Sequence, residues 1–503
     1  MTDHSKKQIG VSLPHSVFSA DWVRRNEAVA AAHFSLTLFD LMVRAGNAAF
    51  ELARKQYPAA RHWLILCGHG NNGGDGYIVA SRALAAGLHV TLIACPGNRP
   101  LPSEAHQAQS QWLAAGGVIH QADIPWPQHV DLIIDGLLGI GLRAAPQGAY
   151  ATLIDTANRH GAAKIALDIP SGLSADSGAA PGSVIRADHT LTFVTLKPGL
   201  LTGQARDWVG HLHCDDLGLA PWLAAQPVQI ERLTAVHLPL WLKPRRPCAH
   251  KGEHGRLLLV GATKGLAGRF AWRGSRFAHW RGLVRVLTHI EHVAPILAAR
   301  PELMVQELTD ETLTQSMNWA DVLVVGPGLG QSDWSRNALN LLQQSDKPAL
   351  WDADALNLLA LNPQRRQNRV LTPHPGEAAR LLGCRVADIE SDRLLSARNI
   401  VKQYGGVVVL KGAGTLIASE QGEMAIADVG NAGMASGGMG DILSGIIGSL
   451  IAQKLVLYDA ACAGCVVHGI AADKLAEVQG TRGILATDLL PVIPKYVNPE
   501  LAR

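Results

Sequence analysis

Two glycine-rich loops of different design, one in each half of the chain, constrain its fold most strongly. The first spans residues 68–76 with the sequence GHGNNGGDG, and the second spans residues 437–441 with the sequence GGMGD. Each stands directly before a run with helical spacing, and such a junction directs backbone N–H groups and a helix N-terminus towards an anion. The sequence therefore predicts two phosphate-binding sites and, with them, two active sites.

The length and composition agree with two domains. The chain has 503 residues, which exceeds what one hydrophobic core usually organises. Its 48% hydrophobic residues and 51 glycines are typical of a globular protein with many tight turns. Prolines interrupt any regular element between Leu219 and Arg246. We therefore place a boundary near Gln229 and predict domains over residues 1–229 and 230–503.

The charge and cysteine content limit the possible partners and compartments. A formal net charge of +3 without a basic tract favours neither nucleic acid nor an anionic membrane, so we expect small-molecule partners. The seven scattered cysteines indicate reduced thiols, and the CxxC formed by Cys462 and Cys465 lies in an apolar stretch that predicts buried packing. With neither a signal-peptide pattern nor a bilayer-length apolar run, we expect a cytoplasmic protein.

Strand-like and helical runs alternate in both halves, which predicts the α/β class. In the first half, a helical spacing over residues 19–57 precedes strand-like runs at 63–67, 90–94, 131–135, 164–168 and 189–195. In the second half the runs are 256–260, 283–287, 322–325, 349–352, 370–372 and 407–410, and long helices rich in small residues are predicted over 432–453 and 457–478. We expect parallel sheets covered by helices on both faces.

Polar turns follow two of the predicted strands in the first half. One begins at Asp135 with the sequence DGLLGIG, and the other begins at Asp168 with DIPSG. Because the carboxyl ends of parallel strands share one edge, Asn72, Asp135, Asp168 and Ser171 can converge. Such an oxygen cluster suits a hard cation together with a carboxylate for proton transfer. The alternatives are that the glycines only form a turn and that the two aspartates only cap the following helices.

These first-half motifs resemble NAD(P)H-hydrate epimerase. The resemblance implies that the glycine loop and the DGLLGIG turn hold the substrate's phosphates, that three oxygen ligands bind K⁺, and that Asp168 contacts the substrate and transfers the proton. The implied substrate-binding residues are Asn71, Asn72, Gly73, Gly74, Asp75, Gly139, Ile140, Gly141 and Asp168. The implied K⁺ ligands are Asn72, Asp135 and Ser171.

The late loop places Asp441 beside the start of an apolar helix. There, helix dipoles stabilise its charge, and the carboxylate can accept a hydroxyl proton as that oxygen attacks a phosphoryl group. The alternative is an ordinary aspartate cap of a packed helix. Further polar turns follow predicted strands at residues 326–330, 352–357, 372–377 and 411–415, and together they predict one ligand crevice. Taken alone, His374 and Lys411 could equally be solvated surface residues.

In this order, the second-half motifs resemble the ADP- or ATP-dependent NAD(P)H-hydrate dehydratases, which have the ribokinase-like fold. The resemblance implies that the hydrated cofactor contacts Gly328, His374 and Asp441, the last being catalytic. The implied nucleotide-binding residues are Lys411, Gly412, Ala413, Gly414, Thr415 and Gly440. It also implies Mg²⁺ and, because the fused pair is the bacterial arrangement, ADP as phosphoryl donor.

The combined prediction is an N-terminal Rossmann-like three-layer domain followed by a ribokinase-like α/β domain. Together they would repair NADH hydrate and NADPH hydrate, the first by epimerising the R and S forms and the second by dehydrating the S form, in a homo-oligomer. One rival is a small-molecule kinase with an accessory nucleotide-binding domain. The other is a non-catalytic nucleotide sensor or scaffold, although binding alone would not need both Asp168 and Asp441.

One segment departs from the dehydratase pattern. Where the family has a helix of small residues, the chain has arginines and tryptophans at Arg269, Trp272, Arg273, Arg276, Trp280 and Arg281. Bulky cations in a close-packed helix would cost several kcal/mol through overpacking and buried charge. We expect a compensated frameshift that ends before Gly282, which resequencing of the encoding DNA would test.

Overall fold

A computed structural model describes residues 13–97, 99–263 and 282–498 of the chain. Contacts between residues divide the chain into two compact units, Met1–Glu231 and Arg232–Arg503. The sequence had placed this boundary near Gln229. The atypical segment from Arg269 to Arg281 lies outside the described residues.

The first unit is built on a seven-stranded sheet in which every recorded pairing is parallel. The strand order across the sheet is His120–Gln121, His89–Ala94, His62–Cys67, Leu132–Gly136, Ala163–Leu167, His189–Phe193 and His211–Asp215. A short strand, Ser16–Val17, pairs antiparallel with Ile230 and Glu231. The predicted parallel sheet is confirmed, and its carboxyl edge carries the polar turns described above.

Helices cover both faces of this sheet. They are Ala20–His33, Leu38–Gln56, Asn71–Ala85, Ser103–Ala114, Ala149–Arg159, Ala205–Trp208 and Ala220–Ala224. Side chains alternate between the faces, so that Trp63 and Ile65 join one buried cluster while Leu64 and Leu66 join another. The unit is therefore a three-layer α/β structure.

The single helical run predicted over residues 19–57 is wrong in one respect, because it contains two helices. The first ends at His33, and Ser35 then adopts a left-handed conformation with φ of +57°. Thr37 starts the second helix by accepting a hydrogen bond from the Asp40 amide at 3.0 Å, while the Asp40 carboxylate accepts from the Thr37 amide at 2.8 Å. This capping box begins the second helix, which runs in a different direction from the first.

The second unit contains a mixed sheet. The strand order is Ile230–Leu233, Met424–Ala427, Thr415–Ser419, Val407–Leu410, Arg369–Leu371, Ala349–Trp351, Val322–Val325, Arg256–Val260, Leu283–Thr288 and Met304–Glu307. From Val407–Leu410 to Met304–Glu307 the pairings are parallel, as predicted. The strands Thr415–Ser419 and Met424–Ala427 pair antiparallel and were not predicted from the sequence.

Two of the helices in the second unit, Met439–Ala452 and Leu457–Gln479, are rich in small residues and lie in its core. The described helices are Leu238–Trp241, Ile290–Ala299, Asp310–Trp319, Asp333–Leu342, Asp354–Leu361, Pro375–Leu382, Val386–Ser391, Arg393–Tyr404, Met439–Ala452, Leu457–Gln479 and Pro494–Val497. A Cβ added at Gly448 would lie 2.3 Å from Val324, so only glycine lets this helix pack so closely on the central strand. The helix predicted over 432–453 is corrected, because an Ala432–Met434 turn comes first and the helix begins at Met439.

Two further expectations concern the cysteine pair and membranes. Cys462 and Cys465 are buried within the Leu457–Gln479 helix and form no disulfide bond, in agreement with the packing interpretation. Within the described parts of the chain, no helix by itself has the length and apolar composition needed to cross a bilayer. The bent pair Ala20–His33 and Leu38–Gln56 meets those requirements only when the two helices are taken together.

Candidate functional sites

The first glycine loop is shaped by close backbone contacts. The helix after it begins at Asn71, directly after Gly70, and therefore earlier than the sequence suggested. A Cβ at Gly68 would lie 1.7 Å from the Leu137 carbonyl oxygen, and one at Gly73 would lie 2.0 Å from the Gly68 carbonyl oxygen. These glycines are required by packing, whereas nothing lies within 4 Å of a Cβ at Gly70.

Asn72, Asp135 and Ser171 come together beneath this loop. The Asp135 carboxylate accepts hydrogen bonds from the Ser171 hydroxyl at 2.6 Å and from the Ser171 amide at 2.8 Å. The Asn72 amide group donates to the Leu167 carbonyl at 3.1 Å, but its Oδ1 is buried without a hydrogen-bond partner. The backbone oxygen of Asn72 lies 2.8 Å from where a Cβ at Gly136 would stand, which places the residue beside the Asp135 strand end.

Asp135 is completely buried, and burial raises its pKa to about 6 despite the opposing effect of its hydrogen bonds to Ser171 and Leu137. The next helix, Ala149–Arg159, begins after Gly148. The alternative that Asp135 caps the following helix is therefore wrong. Asp135 instead belongs to a cluster of polar side chains together with Asn72 and Ser171.

Asp168 holds a strained backbone conformation at the end of its strand. Its φ is +61°, a region that costs a non-glycine residue energy and that occurs often at functional sites. Its Oδ1 accepts hydrogen bonds from Lys197 at 2.6 Å, from Thr192 at 3.0 Å and from the Phe193 amide at 3.4 Å. These contacts hold the carboxylate in place, and none of them is a helix cap.

Lys197 was not predicted from the sequence. Its side chain is 1% exposed, and its ammonium group donates to Asp168, to the Thr192 hydroxyl at 3.0 Å and to the Phe193 carbonyl at 2.7 Å. A buried cation of this kind is stable only beside a carboxylate and further acceptors. The available signal was the position of Lys197, shortly after the strand that follows Asp168 along the chain.

A cavity of about 520 Å³ opens between these elements. Of the predicted substrate-binding residues, those in its wall are Asn71, Asn72, Asp75, Gly139, Ile140, Gly141 and Asp168. Gly73 and Gly74 are not in the wall, because they pack against Gly68 and Met42. Lys197 and Glu27, neither of which was predicted, also line the cavity.

The second unit contains another lysine at a strand end, and this one is partly buried. The Lys411 ammonium group lies 2.8 Å from Asp352 Oδ1 and 3.7 Å from Glu377 Oε2. The Ser444 hydroxyl donates to the other oxygen of Asp352 at 2.8 Å. Burial lowers the pKa of Lys411, but the carboxylates of Asp352, Glu377 and Asp441 outweigh it and hold that pKa above its usual value.

Asp441 is the third residue of the Met439–Ala452 helix, which starts after Gly438 at a φ of +90°. The alternative of an aspartate cap is therefore wrong, because the cap position belongs to Gly438. A Cβ at Gly440 would lie 3.3 Å from the Lys411 ammonium and 3.7 Å from Asp352 Oδ2. The late glycine loop, Lys411 and Asp352 thus form one cluster.

His374 caps the helix Pro375–Leu382. Its Nδ1 accepts from the amides of Gly376 at 3.0 Å and Glu377 at 3.4 Å, and the Glu377 carboxylate accepts from the His374 amide at 2.8 Å. Burial and the nearby Lys411 and Arg380 charges lower the pKa of His374. The imidazole is therefore a fixed, neutral group beside Glu377, with half of its surface exposed.

The remaining predicted residues lie in two turns. Gly328 belongs to a turn that rests on the Asp352 segment, because a Cβ at Gly326 would lie 1.8 Å from the Asp352 carbonyl and the Gly330 amide donates to Asp354 at 2.8 Å. The turn from Gly412 to Thr415 is closed by a Thr415 hydroxyl bond to the Gly412 carbonyl at 3.0 Å. The sequence predicts Asp352 and Glu377 only as members of polar turns. In the structure their carboxylates form ion pairs with Lys411.

Two family models match separate parts of the chain, and known proteins match it over nearly its full length. A family model described as NAD(P)H-hydrate dehydratase matches residues 258–495, and one described as YjeF-related protein N-terminus matches residues 38–199. The chain is 60% identical to the bifunctional NAD(P)H-hydrate repair enzyme Nnr of Escherichia coli K12, covering 100% of this chain and 98% of that protein. A bifunctional NAD(P)H-hydrate repair enzyme of Leishmania braziliensis is 44% identical, with 97% and 95% covered.

Among solved structures, a ribokinase-like superfamily protein of Enterococcus faecalis is similar to about half of this chain. It has a TM-score of 0.50 and 26% sequence identity, and the match covers 55% of this chain and 97% of that protein. The ribokinase-like fold expected for the second unit is in agreement with this likeness.

Proposed function

This chain belongs to the family of bifunctional NAD(P)H-hydrate repair enzymes, and we propose that each of its two units carries one of the two repair activities. The first unit epimerises the R and S forms of NADH hydrate and NADPH hydrate. The second unit dehydrates the S form to NADH or NADPH with ADP as phosphoryl donor. The observation that carries this assignment is the pair of lysine-held carboxylate clusters, each beside a glycine loop at the end of parallel strands.

The cavity of the first unit supports the epimerase assignment. A helix N-terminus at Asn71 and the glycine loop offer backbone donors for phosphate groups. Asp168 lies in the wall of this cavity, and the Lys197 ammonium group holds its carboxylate in place at 2.6 Å, so the carboxylate is positioned to accept a proton from a bound substrate. A fixed carboxylate beside a phosphate cradle suits proton transfer on a phosphate-bearing substrate.

We propose that Asn72, Asp135 and Ser171 hold K⁺. The buried Asn72 Oδ1 has no hydrogen-bond partner, and Asp135 is a completely buried carboxyl, so a hard cation would satisfy both groups. When bound, K⁺ would supply positive charge near the substrate's phosphates. If this is right, K⁺ should raise the melting temperature of the first unit, and Asn72→Ala should reduce that rise.

In the second unit we propose Asp441 as the base for phosphorylation of the substrate's hydroxyl group. Asp441 accepts the hydroxyl proton as the oxygen attacks the terminal phosphorus of ADP, and AMP leaves. The phosphorylated oxygen then departs as inorganic phosphate while a proton leaves the neighbouring ring carbon, which restores the carbon–carbon double bond. Lys411 and the glycine loop beside Gly440 would hold the donor's phosphates.

The charge of this second cluster supports a requirement for Mg²⁺. One ammonium group, Lys411, faces the carboxylates of Asp352, Glu377 and Asp441, so a polyphosphate would meet net negative charge. Mg²⁺ is commonly bound by one or two carboxylates together with substrate phosphates. In the described ranges, no three His, Cys, Asp or Glu side chains are arranged as a ready metal site, which fits a cation that arrives with its nucleotide.

The direct test supplies pure protein with ADP, Mg²⁺ and each epimer separately. We expect the S form to give near-ultraviolet NADH absorbance at once and the R form to give it after epimerisation. Accumulation of a phosphorylated alcohol without NADH would support the kinase rival. Nucleotide binding with no conversion of either epimer would support the scaffold rival.

The cytoplasmic location and the homo-oligomeric state are proposals as well. The seven cysteines, all of which the structure describes without a disulfide bond, support a reducing compartment. Light scattering on the purified chain measures the oligomeric state directly, and a monomer at working concentration would contradict the second proposal.

A further inference from the structure

Asp168 and Lys197 provide a held carboxylate in the epimerase cavity but no spare proton donor. The ammonium group of Lys197 has three N–H bonds, and these point to Asp168, to the Thr192 hydroxyl and to the Phe193 carbonyl. Inverting a carbon that bears a hydroxyl group requires a proton for the departing oxygen as well as a base. Another acidic group of the cavity must therefore supply that proton.

Two further carboxyl groups, Glu27 and Asp75, line the same cavity. Burial raises the pKa of Glu27, and the charges of Asp168 and Glu104 add to this effect while Lys197 opposes it. Burial also raises the pKa of Asp75, and the charges of Asp168 and Glu27 add to it. Both groups therefore keep a proton to higher pH than an isolated carboxyl does. The charged groups that face Glu27 are Arg24, Asp75, Glu104, Asp168 and Lys197.

Position distinguishes these two acids. Asp75 is buried in the helix of the glycine loop, and its own backbone oxygen lies 3.1 Å from a Cβ placed at Gly46 of the neighbouring helix. Glu27 is only half-buried and enters the cavity from the separate helix Ala20–His33. The side chain of Glu27 therefore has more freedom to reach a bound substrate.

The helix that carries Glu27 is fixed to the rim of the cavity. At its start, the Ala20 amide donates to the Asp176 carboxylate at 2.7 Å. One turn before Glu27, the Arg24 guanidinium donates to the Ile140 carbonyl at 3.3 Å, and Ile140 belongs to the turn that lines the cavity. These contacts place Glu27 and Asp168 in the walls of one small chamber.

We propose that Glu27 is the general acid of the epimerase site and that Asp168 is its base. This rests on the proposed function of the first unit. Hydration of an enamine puts the hydroxyl on the carbon next to the ring nitrogen. Glu27 protonates that hydroxyl, the C–O bond breaks with its electron pair leaving in a water molecule, and the nitrogen lone pair forms a C=N bond.

Inversion is completed from the other face of the ring. Water adds to the carbon of the C=N bond, the π electrons return to the nitrogen, and Asp168 takes the surplus proton. That proton returns to Glu27 through solvent, so the cycle consumes neither an oxidant nor a reductant. Lys197 is a positioning residue in this scheme, because it holds Asp168 and touches no reacting atom.

The test uses the full chain and chromatography that separates the two epimers, with the spontaneous rate subtracted. We expect Glu27→Gln to slow epimerisation about 10²–10⁴-fold and to remove the fall in rate that the wild type shows as rising pH deprotonates the acid. Dehydration of supplied S form should stay unchanged in the same preparation. Glu104→Gln, which removes a neighbouring carboxylate outside the proposed machinery, should stay within about twofold of the wild type.

Three results would overturn the proposal. Full epimerisation by a folded Glu27→Gln protein would do so, as would an unchanged pH profile in that variant, or loss of the alkaline fall only in Asp75→Asn. Should Glu27→Gln fail to fold, Glu27→Asp is the deciding variant. It keeps a carboxyl group but moves it back by one methylene group, away from the substrate, so full activity in this variant would reject the proposal. A wild type that epimerises neither form would instead refute the function of the first unit.

Discussion

Each unit holds a carboxylate cluster around one lysine, and the two clusters differ in how many carboxylates that lysine contacts. In the first, Lys197 and Asp168 form one ion pair 2.6 Å apart, and the other contacts of the lysine are neutral oxygens. In the second, Lys411 lies 2.8 Å from Asp352 and also faces two further carboxylates. At ion-pair distance, Lys197 therefore balances one carboxylate, whereas Lys411 is shared between the carboxylates of Asp352 and Glu377.

This difference fits the chemistry that we propose for each unit. Proton transfer at a ring carbon needs a positioned carboxylate and a proton donor, and the ion pair with Lys197 holds the Asp168 carboxylate in position. Phosphoryl transfer brings a polyphosphate to the site, and an additional cation must then neutralise the charge that develops. The comparison predicts that the two activities of the chain respond differently to metal, to lysine removal and to backbone changes.

Removal of divalent cations should separate the activities most strongly. With EDTA in a K⁺ buffer, we expect dehydration to fall about 10²-fold or more, because Mg²⁺ contributes several kcal/mol of transition-state stabilisation in such reactions. Epimerisation should stay within about twofold, since the first cluster contains its own cation. Epimer-resolved chromatography and NADH absorbance measure both rates in one sample, and equal losses would remove the distinction.

Lys197→Met should have the next largest effect. The substitution leaves Asp168 without its cation in a buried site, and breaking such a pair typically costs about 3–5 kcal/mol of unfolding free energy. We expect loss of epimerisation, a lower melting temperature of the first unit and normal dehydration of the S form. Lys55→Met, at an exposed position of the same unit, is the control. A fully stable Lys197→Met protein would show that the ion pair does not organise this site.

Gly68→Ala tests whether the first loop is as tightly built as the structure indicates. The new Cβ would meet the Leu137 carbonyl at 1.7 Å, so we expect a loss of about 1–3 kcal/mol or more in unfolding free energy. Gly70→Ala is the matched control in the same loop, and Gly437→Ala is the matched control in the second unit. Both positions have open space around a Cβ. Denaturant unfolding of the three variants should rank Gly68→Ala far below the others.

The smallest predicted effect is on stability, and it concerns three histidines of the first sheet. One of them, His189, lies at the amino end of its strand, away from the carboxyl edge that carries the candidate site. Burial lowers the pKa of His189 to about 4, and the charges of His213 and His211 add to this. Below about pH 6.5 the unfolded chain binds a proton at this residue while the folded chain does not, so its contribution to stability falls as the pH falls from 6.5 towards 4. The melting temperature of His189→Asn relative to wild type should therefore rise from pH 7.5 to pH 5. A constant difference would contradict the shift.

Apolar runs and strand-end turns made most of the fold predictable. The strand Val322–Val325 has the predicted bounds, and the polar turns lie at the carboxyl edge because parallel strands end together. The break at Ser35 was missed because one residue with a positive φ interrupts an otherwise continuous helical spacing. The strand Thr415–Ser419 was not predicted, because its first residue was assigned to the polar turn at 411–415 and its other four residues were left unassigned.

The candidate sites were predictable only where a motif marks the chain. Asp168 and Asp441 stand in recognisable turns, so the sequence pointed to them directly. Lys197 and Glu27 carry no local signature, because their significance depends on burial and on neighbours that are distant in the chain. Lone lysines and glutamates are usually solvated, so spacing alone could not single them out.

The central claim is that each unit has its own catalytic carboxylate, and two substitutions test it most directly. Asp168→Asn and Asp441→Asn are each assayed with the R and the S epimer, ADP and Mg²⁺. We predict that Asp168→Asn still converts S form to NADH but no longer uses R form beyond the spontaneous rate. We predict that Asp441→Asn interconverts the epimers and forms no NADH. Unchanged turnover in both variants, or loss of both activities in either folded variant, would contradict the account.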